Sequence, residues 1–150
     1  MRINIYQTRF GEDKSISLVK ESSGNYPEFQ CVDSPENCAK MMESVFEASK
    51  LTEERFWLIA LNGARKDAGL FEVSRGTLMS SLVHPREVFQ RAILAGAASI
   101  IIVHNHPSGT LHISEQDREV TRKIKAAGEL LGIELDDHLI IAEGDFISAM

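Results

Sequence analysis

The stretch "SIIIVHNHPSGTLHISEQD", Ser99 to Asp117, decides how this chain is read. Its first half, Ser99–His106, is a β-branched apolar run with no polar alternation, as expected of a central strand covered on both faces. Pro107 and Gly109 end that strand and open a tight loop. Ser114, with an acid three residues on, has the form of a helix start: a favoured N-cap and the partner of a capping box. Residues i and i+2 of a strand point to one face, so His104 and His106 converge. The apolar stripe expected on the following helix is Val120, Ile124, Ala127 and Leu131, and Asp117 shares that face. A carboxylate aimed at a core is costly unless it is paired or bound to a cation.

His104, His106 and Asp117 therefore read as a ligand set with a water in the fourth position, and zinc suits such borderline N/O donors. The histidine pair alone is weak evidence. With five His in 150 residues, chance supplies an H-x-H roughly 0.2 times, so the added Ser and Asp carry the weight. A hydrolytic zinc also needs a general base and an oxyanion donor. Ser114, on the same helix start as Asp117, is placed as the donor. On chemistry alone Glu53, Glu54, Glu72 and Glu87 all qualify as the base.

Outward from this stretch the elements follow in order. "RINIYQTRF" and "SISLVK" read as two strands around a "GEDK" turn, and "ESSGNYP" as a loop. Ser34-Pro35-Glu36 starts a helix whose apolar face is Cys38, Met41, Met42, Val45, Phe46 and Ser49. "RFWLIAL" (55–61) is a buried strand, Asn62-Gly63 a turn, and "AGLFEVSRG" its hairpin partner. A second helix starts at Pro85, buries Val88, Phe89, Ala92 and Ile93, and has Gly96 as its C-cap. The third runs from about Ser114 to Leu131 and stops at Gly132, and "IELDDHLIIAE" and "DFISAM" are closing strands. The order β-β-α-β-β-α-β-α-β-β is an α/β (α+β) sandwich built on a mixed sheet.

Composition narrows the function. The chain is 43% hydrophobic and 25% charged, an ordinary globular balance. A net charge of −6 disfavours a grip on nucleic acid. The basic cluster Arg122, Lys123 and Lys125 is flanked by Glu119 and Glu129, which marks a solvated helix face. No apolar run reaches the roughly 20 residues of a membrane span, and no leader is visible, so the expected location is the cytoplasm. Cys31 and Cys38 lack zinc-knuckle spacing and read as structural.

"HNHPSG" followed by "SEQD" resembles the JAMM (MPN-plus) metalloprotease signature, H-x-H-P-x6-S-x2-D, in full. "SRGTLMSSLVHPREVFQRAILAGAASIIIVHNHPSG" and "AGELLGIELDDHLII" look more narrowly like the RadC family of bacterial JAMM-domain proteins, over roughly residues 34–150. The resemblance implies a single JAMM/MPN-like domain at 34–150, preceded by a strand extension at 1–33. It implies a curved mixed sheet between helices, of cytidine-deaminase-like architecture. Carried over residue by residue, it implies zinc on His104, His106 and Asp117, transition-state support from Ser114, and Glu54 as base, with Glu53 the alternative by a one-residue slip. The reaction class implied is hydrolysis of a peptide or isopeptide bond in a protein or peptide substrate.

Three features depart from the family. The N-terminal helix-hairpin-helix is replaced by about 30 residues of apparent strand, and "TLHI" (110–113) and "LNGARKDAGL" replace other loops beside the expected site. His112, by its loop position, reads as a solvent-facing residue with metal ligation as the alternative, and His84 as a helix-entry residue. Asp137-His138 belongs to the family pattern without an assigned mechanism, and a structural hydrogen bond or one that supports a metal ligand is the role expected of it. Competing readings are a DNA-repair accessory protein or metal-dependent nuclease, and a non-catalytic binding module. An exposed strand edge within residues 1–20 is the candidate surface for a homodimer.

Overall fold

The computed structural model describes residues 1–76 and 83–150. Thr77–Leu82, part of the family-like stretch quoted above, lie outside the described residues. Among the described residues seven strands form one sheet in the order β2-β1-β4-β3-β5-β6-β7. In chain order they are β1 (Arg2–Phe10), β2 (Ile16–Asn25), β3 (Arg55–Leu61), β4 (Asp67–Arg75), β5 (Ser99–Asn105), β6 (Glu134–Ala142) and β7 (Asp145–Ser148). β1 pairs with β4, and β5 with β6, in parallel; the remaining pairs are antiparallel, which makes the sheet mixed. The helices are α1 (Pro35–Phe46), α2 (Pro85–Leu94) and α3 (Glu115–Leu131).

Strand alternation divides the core in two. Trp57, Ile59, Leu61, Ile101 and Val103 face α1, with Cys38, Met41 and Met42 against them. Phe56, Leu58, Ala60, Ile100 and Ile102 face α2 and α3, meeting Phe89, Val120 and Ile124. β5 is thus covered on both sides, as its unbroken apolar run predicts. The same alternation continues beyond Ile102 and turns His104 toward α3.

A bulge then changes the phase of β6. Ile100 pairs with Leu135, but Ile101 pairs with Asp137, so Asp136 is an extra residue. Leu135 packs toward α2 and α3, and beyond the bulge Leu139 and Ile141 pack toward α1. His138 consequently lies on the α3 side, beside His104.

Several local expectations need correction. "ESSGNYP" is not wholly a loop: Ser22–Asn25 pair with Arg2–Ile5, past a bulge at Ile5/Tyr6, and β2 runs to Asn25. Those residues are polar because β2 is a sheet edge. Ser49 is off the α1 stripe, because Glu47 takes a left-handed conformation (φ 48°) that ends the helix, and Ala48 is buried instead. Ile93 and Leu131 are about half exposed, at 55% and 48%. Each sits in the last turn of its helix. The buried face of α3 is Asp117, Val120, Thr121, Ile124 and Gly128. Ala95, not Gly96, is the C-cap of α2, and Gly96 follows it with φ 65°. Among the described residues no helix is long and apolar enough to cross a membrane.

Candidate metal centre

Ser114 and Asp117 form the capping box at the start of α3. The Asp117 backbone N–H donates to Ser114 Oγ (3.0 Å), and the Ser114 N–H donates to Asp117 Oδ2 (2.9 Å). The cap spends Oδ2 on the backbone and turns the carboxylate toward the two histidines at the end of β5. There Asp117 Oδ1 lies 3.2 Å from His104 Nε2, and Oδ2 lies 3.7 Å from His106 Nε2. The two imidazole Nε2 atoms are 3.0 Å apart. His104 and Asp117 are each only 3% exposed.

The hydrogen bonds constrain where protons sit. His106 Nδ1 is 2.8 Å from the Thr110 carbonyl, which can only accept, so Nδ1 carries the hydrogen. With its hydrogen on Nδ1, the imidazole of His106 has Nε2 as the nitrogen that offers a lone pair toward His104 and the Asp117 carboxylate. Two lone-pair donors and an anion at these separations repel unless a proton or a metal ion lies among them. Burial pushes the Asp117 pKa up, but His104 and the Ser114 hydrogen bonds outweigh it and hold the carboxyl well below its usual range. The donor set, two imidazoles and a carboxylate, fits a zinc-type cation.

Glu54 joins this cluster from the loop entering β3. One of its carboxylate oxygens, with a ring nitrogen each of His104 and His106, forms a group within 4.8 Å that could hold a metal ion. Pairing of Phe56 with His104 sets this position. Glu54 precedes Phe56 by two and shares its face, whereas Glu53 is exposed. Asn105, 1% exposed, fixes the loop: its Oδ1 accepts from the Arg55 N–H (2.7 Å) and its Nδ2 donates to the Glu53 carbonyl (3.0 Å). The other carboxylates considered lie elsewhere. Glu72 pairs with Arg75 at 2.8 Å and Arg55 at 3.6 Å, and Glu87 sits in the first turn of α2. His112 is exposed, and His84 is the N-cap residue of α2.

Asn105 and Thr121 have no local signal in the sequence, and His138 stood out only through the family pattern Asp137-His138. His138 is fully buried, 2.9 Å from His104 Nδ1 through its Nε2. Burial, and then the neighbouring His104, push its pKa down to about 3, so it is neutral wherever the protein is folded near neutral pH. Phe56 stacks on His104 at 6.0 Å and meets His138 edge-on at 6.2 Å, which walls the site from the core.

A family model for the RadC-like JAB domain matches residues 32–150. The chain belongs to this family. The JAB domain described here is 49% identical over 98 residues to a UPF0758 protein of Rubrobacter xylanophilus, covering 65% of this chain and 43% of that one. It is 44% identical over 117 residues to a UPF0758 protein of Desulforudis audaxviator, 78% of this chain and 50% of the relative. A Clostridium kluyveri UPF0758 protein matches at 47% over 115 residues, 77% and 50% of the two chains. The chain spans about half the length of these relatives. Cys31 and Cys38 of this JAB domain are free thiols, with Cys38 buried and its pKa raised by that burial.

Proposed function

We propose that this JAB domain is a zinc-dependent hydrolase of amide bonds, with a peptide or isopeptide in a protein substrate as its target. His104, His106 and Asp117 hold the metal, Glu54 is the general base, and Ser114 supports the oxyanion. The observation that carries the reading is the convergence of two imidazole Nε2 atoms on one buried carboxylate, with Glu54 in reach of the same point. Zinc in that position supplies Lewis acidity and lets water act as a nucleophile near neutral pH. Glu54 takes the proton from the attacking water and returns it to the leaving amine. Its half-buried position suits that traffic, because it touches both site and solvent. Ser114 Oγ already accepts from Asp117 N–H, which leaves its own hydroxyl hydrogen to donate toward the developing oxyanion. On α3, Arg122 pairs with Glu115 and Glu119 and Lys123 with Glu119, so acids intersperse these cations rather than leaving a basic patch.

Metal analysis combined with two glutamate variants tests the proposal. Wild type carries one zinc per chain and cleaves members of a quenched peptide and isopeptide library, and His104→Ala carries none. Glu54→Gln keeps its zinc and loses at least about 100-fold in rate, while Glu53→Gln keeps both. A wild type without zinc, or a Glu54→Gln variant as active as wild type, refutes it.

A further inference from the structure

His138 and Thr121 have no part in the chemistry above, yet both are buried and hydrogen-bonded to the site. Thr121 Oγ1 lies 3.0 Å from the carbonyl oxygen of Asp117 and 2.7 Å from His138 Nδ1. A carbonyl can only accept, and a hydroxyl has one hydrogen. With that hydrogen donated to Asp117, Thr121 accepts from His138 Nδ1–H. A neutral imidazole protonated at Nδ1 has its lone pair at Nε2, so His138 accepts from His104 Nδ1–H across 2.9 Å. With Nδ1 so committed, Nε2 is the His104 nitrogen left to offer a lone pair to a metal, and it lies 3.2 Å from Asp117 Oδ1 and 3.0 Å from His106 Nε2.

We propose that His138 and Thr121 are positioning residues of the metal centre, a directed relay from His104 through His138 and Thr121 to the Asp117 backbone that commits His104 Nε2 to the metal. The chain of donors ends on the backbone of a ligand residue, so one helical turn of α3 supplies both the carboxylate for the metal and the acceptor that orients the opposite ligand. His106 has a separate device with the same outcome, its Nδ1 being held by the Thr110 carbonyl. Ligand imidazoles whose second nitrogen is hydrogen-bonded are fixed in tautomer and ring orientation, and loss of such partners weakens metal binding by roughly 10- to 100-fold.

The inference rests on His104, His106 and Asp117 being the ligands, and its test separates the two. Zinc affinity is measured by chelator competition on wild type, Thr121→Val, Thr121→Ser and His138→Phe, with metal-free thermal stability recorded alongside. Thr121→Val binds zinc about 10-fold more weakly and His138→Phe between about 10- and 100-fold, while Thr121→Ser, which restores the hydroxyl, stays within about twofold of wild type. Long-range proton–nitrogen NMR on zinc-loaded wild type gives a readout that needs no variant: His138 carries its hydrogen on Nδ1. Wild type that binds zinc through His104, with Thr121→Val and His138→Phe equally tight, or His138 protonated on Nε2, overturns the relay and leaves the ligand assignment standing. Wild type that binds no zinc overturns both.

Discussion

Acidification of the metal-free protein should unmask His138. In the folded state its pKa is pushed down to about 3, whereas an unfolded-chain histidine titrates near 6.5. Between those values the unfolded state binds the extra proton, so stability rises with pH across the window and falls on acidification. At pH 7.5 both states are neutral and the difference vanishes. At pH 5 it is RT ln(1 + 10^1.5), about 2 kcal/mol, set by the unfolded-state pKa so long as the native value stays below roughly 4. Because His138 is fully buried, no solvent discount applies to this figure. Urea unfolding of chelator-treated wild type and His138→Gln, at a series of pH values from 7.5 to 5, measures it. Wild type should lose about 2 kcal/mol more than the variant over that range, or about 1 M in urea midpoint for a domain of this size. Parallel stability–pH curves for the two proteins would show that His138 is not a buried neutral group, and the site electrostatics described above would fail with it.

Asn105→Ala removes two part-buried hydrogen bonds to the backbone of Glu53 and Arg55. It should cost about 2–4 kcal/mol in urea unfolding and slow hydrolysis more than zinc loss explains. Zinc at a hundredfold excess over its Kd should raise wild-type stability by about 2.7 kcal/mol, seen as an upward shift in Tm, and Asp117→Asn should lose that increment. In the metal-free state Asp117 contributes stability that is present above about pH 4 and lost as the pH falls further, because its folded-state pKa is depressed. Asp117→Asn should therefore flatten the acid limb of unfolding below pH 4. Gly128→Ala should cost about 1–3 kcal/mol without changing zinc affinity, since a Cβ there would collide with the Ile133 carbonyl, which cannot move independently of the chain turn after α3; an unchanged melting temperature would show that this turn yields.

Local periodicity carried most of the site. The i, i+2 spacing of His104 and His106 and the helical phase of Asp117 each depend on a single element, so they are legible without knowing what that element packs against. The cap reading of Ser114 and Asp117 was equally local, and the structure shows cap and inward-facing carboxylate as one arrangement. Helix ends were less legible: Ile93 and Leu131 fit the apolar stripes, but a stripe does not say how far along the helix the burial extends.

What the sequence by itself determined is therefore the set of elements, the faces they bury, and the two histidines and aspartate that share one face. What only the tertiary structure decided is the company they keep. Glu54 stands near the histidines because β3 pairs with β5 in the register Phe56–His104, and that register is clamped by Asn105 across some fifty residues of chain. His138 reaches His104 because one extra residue in β6, Asp136, reverses the alternation that would otherwise turn it toward α1. Side-chain periodicity is a property of a short run of backbone; pairing register and bulges are agreements between distant segments, and no single segment records them.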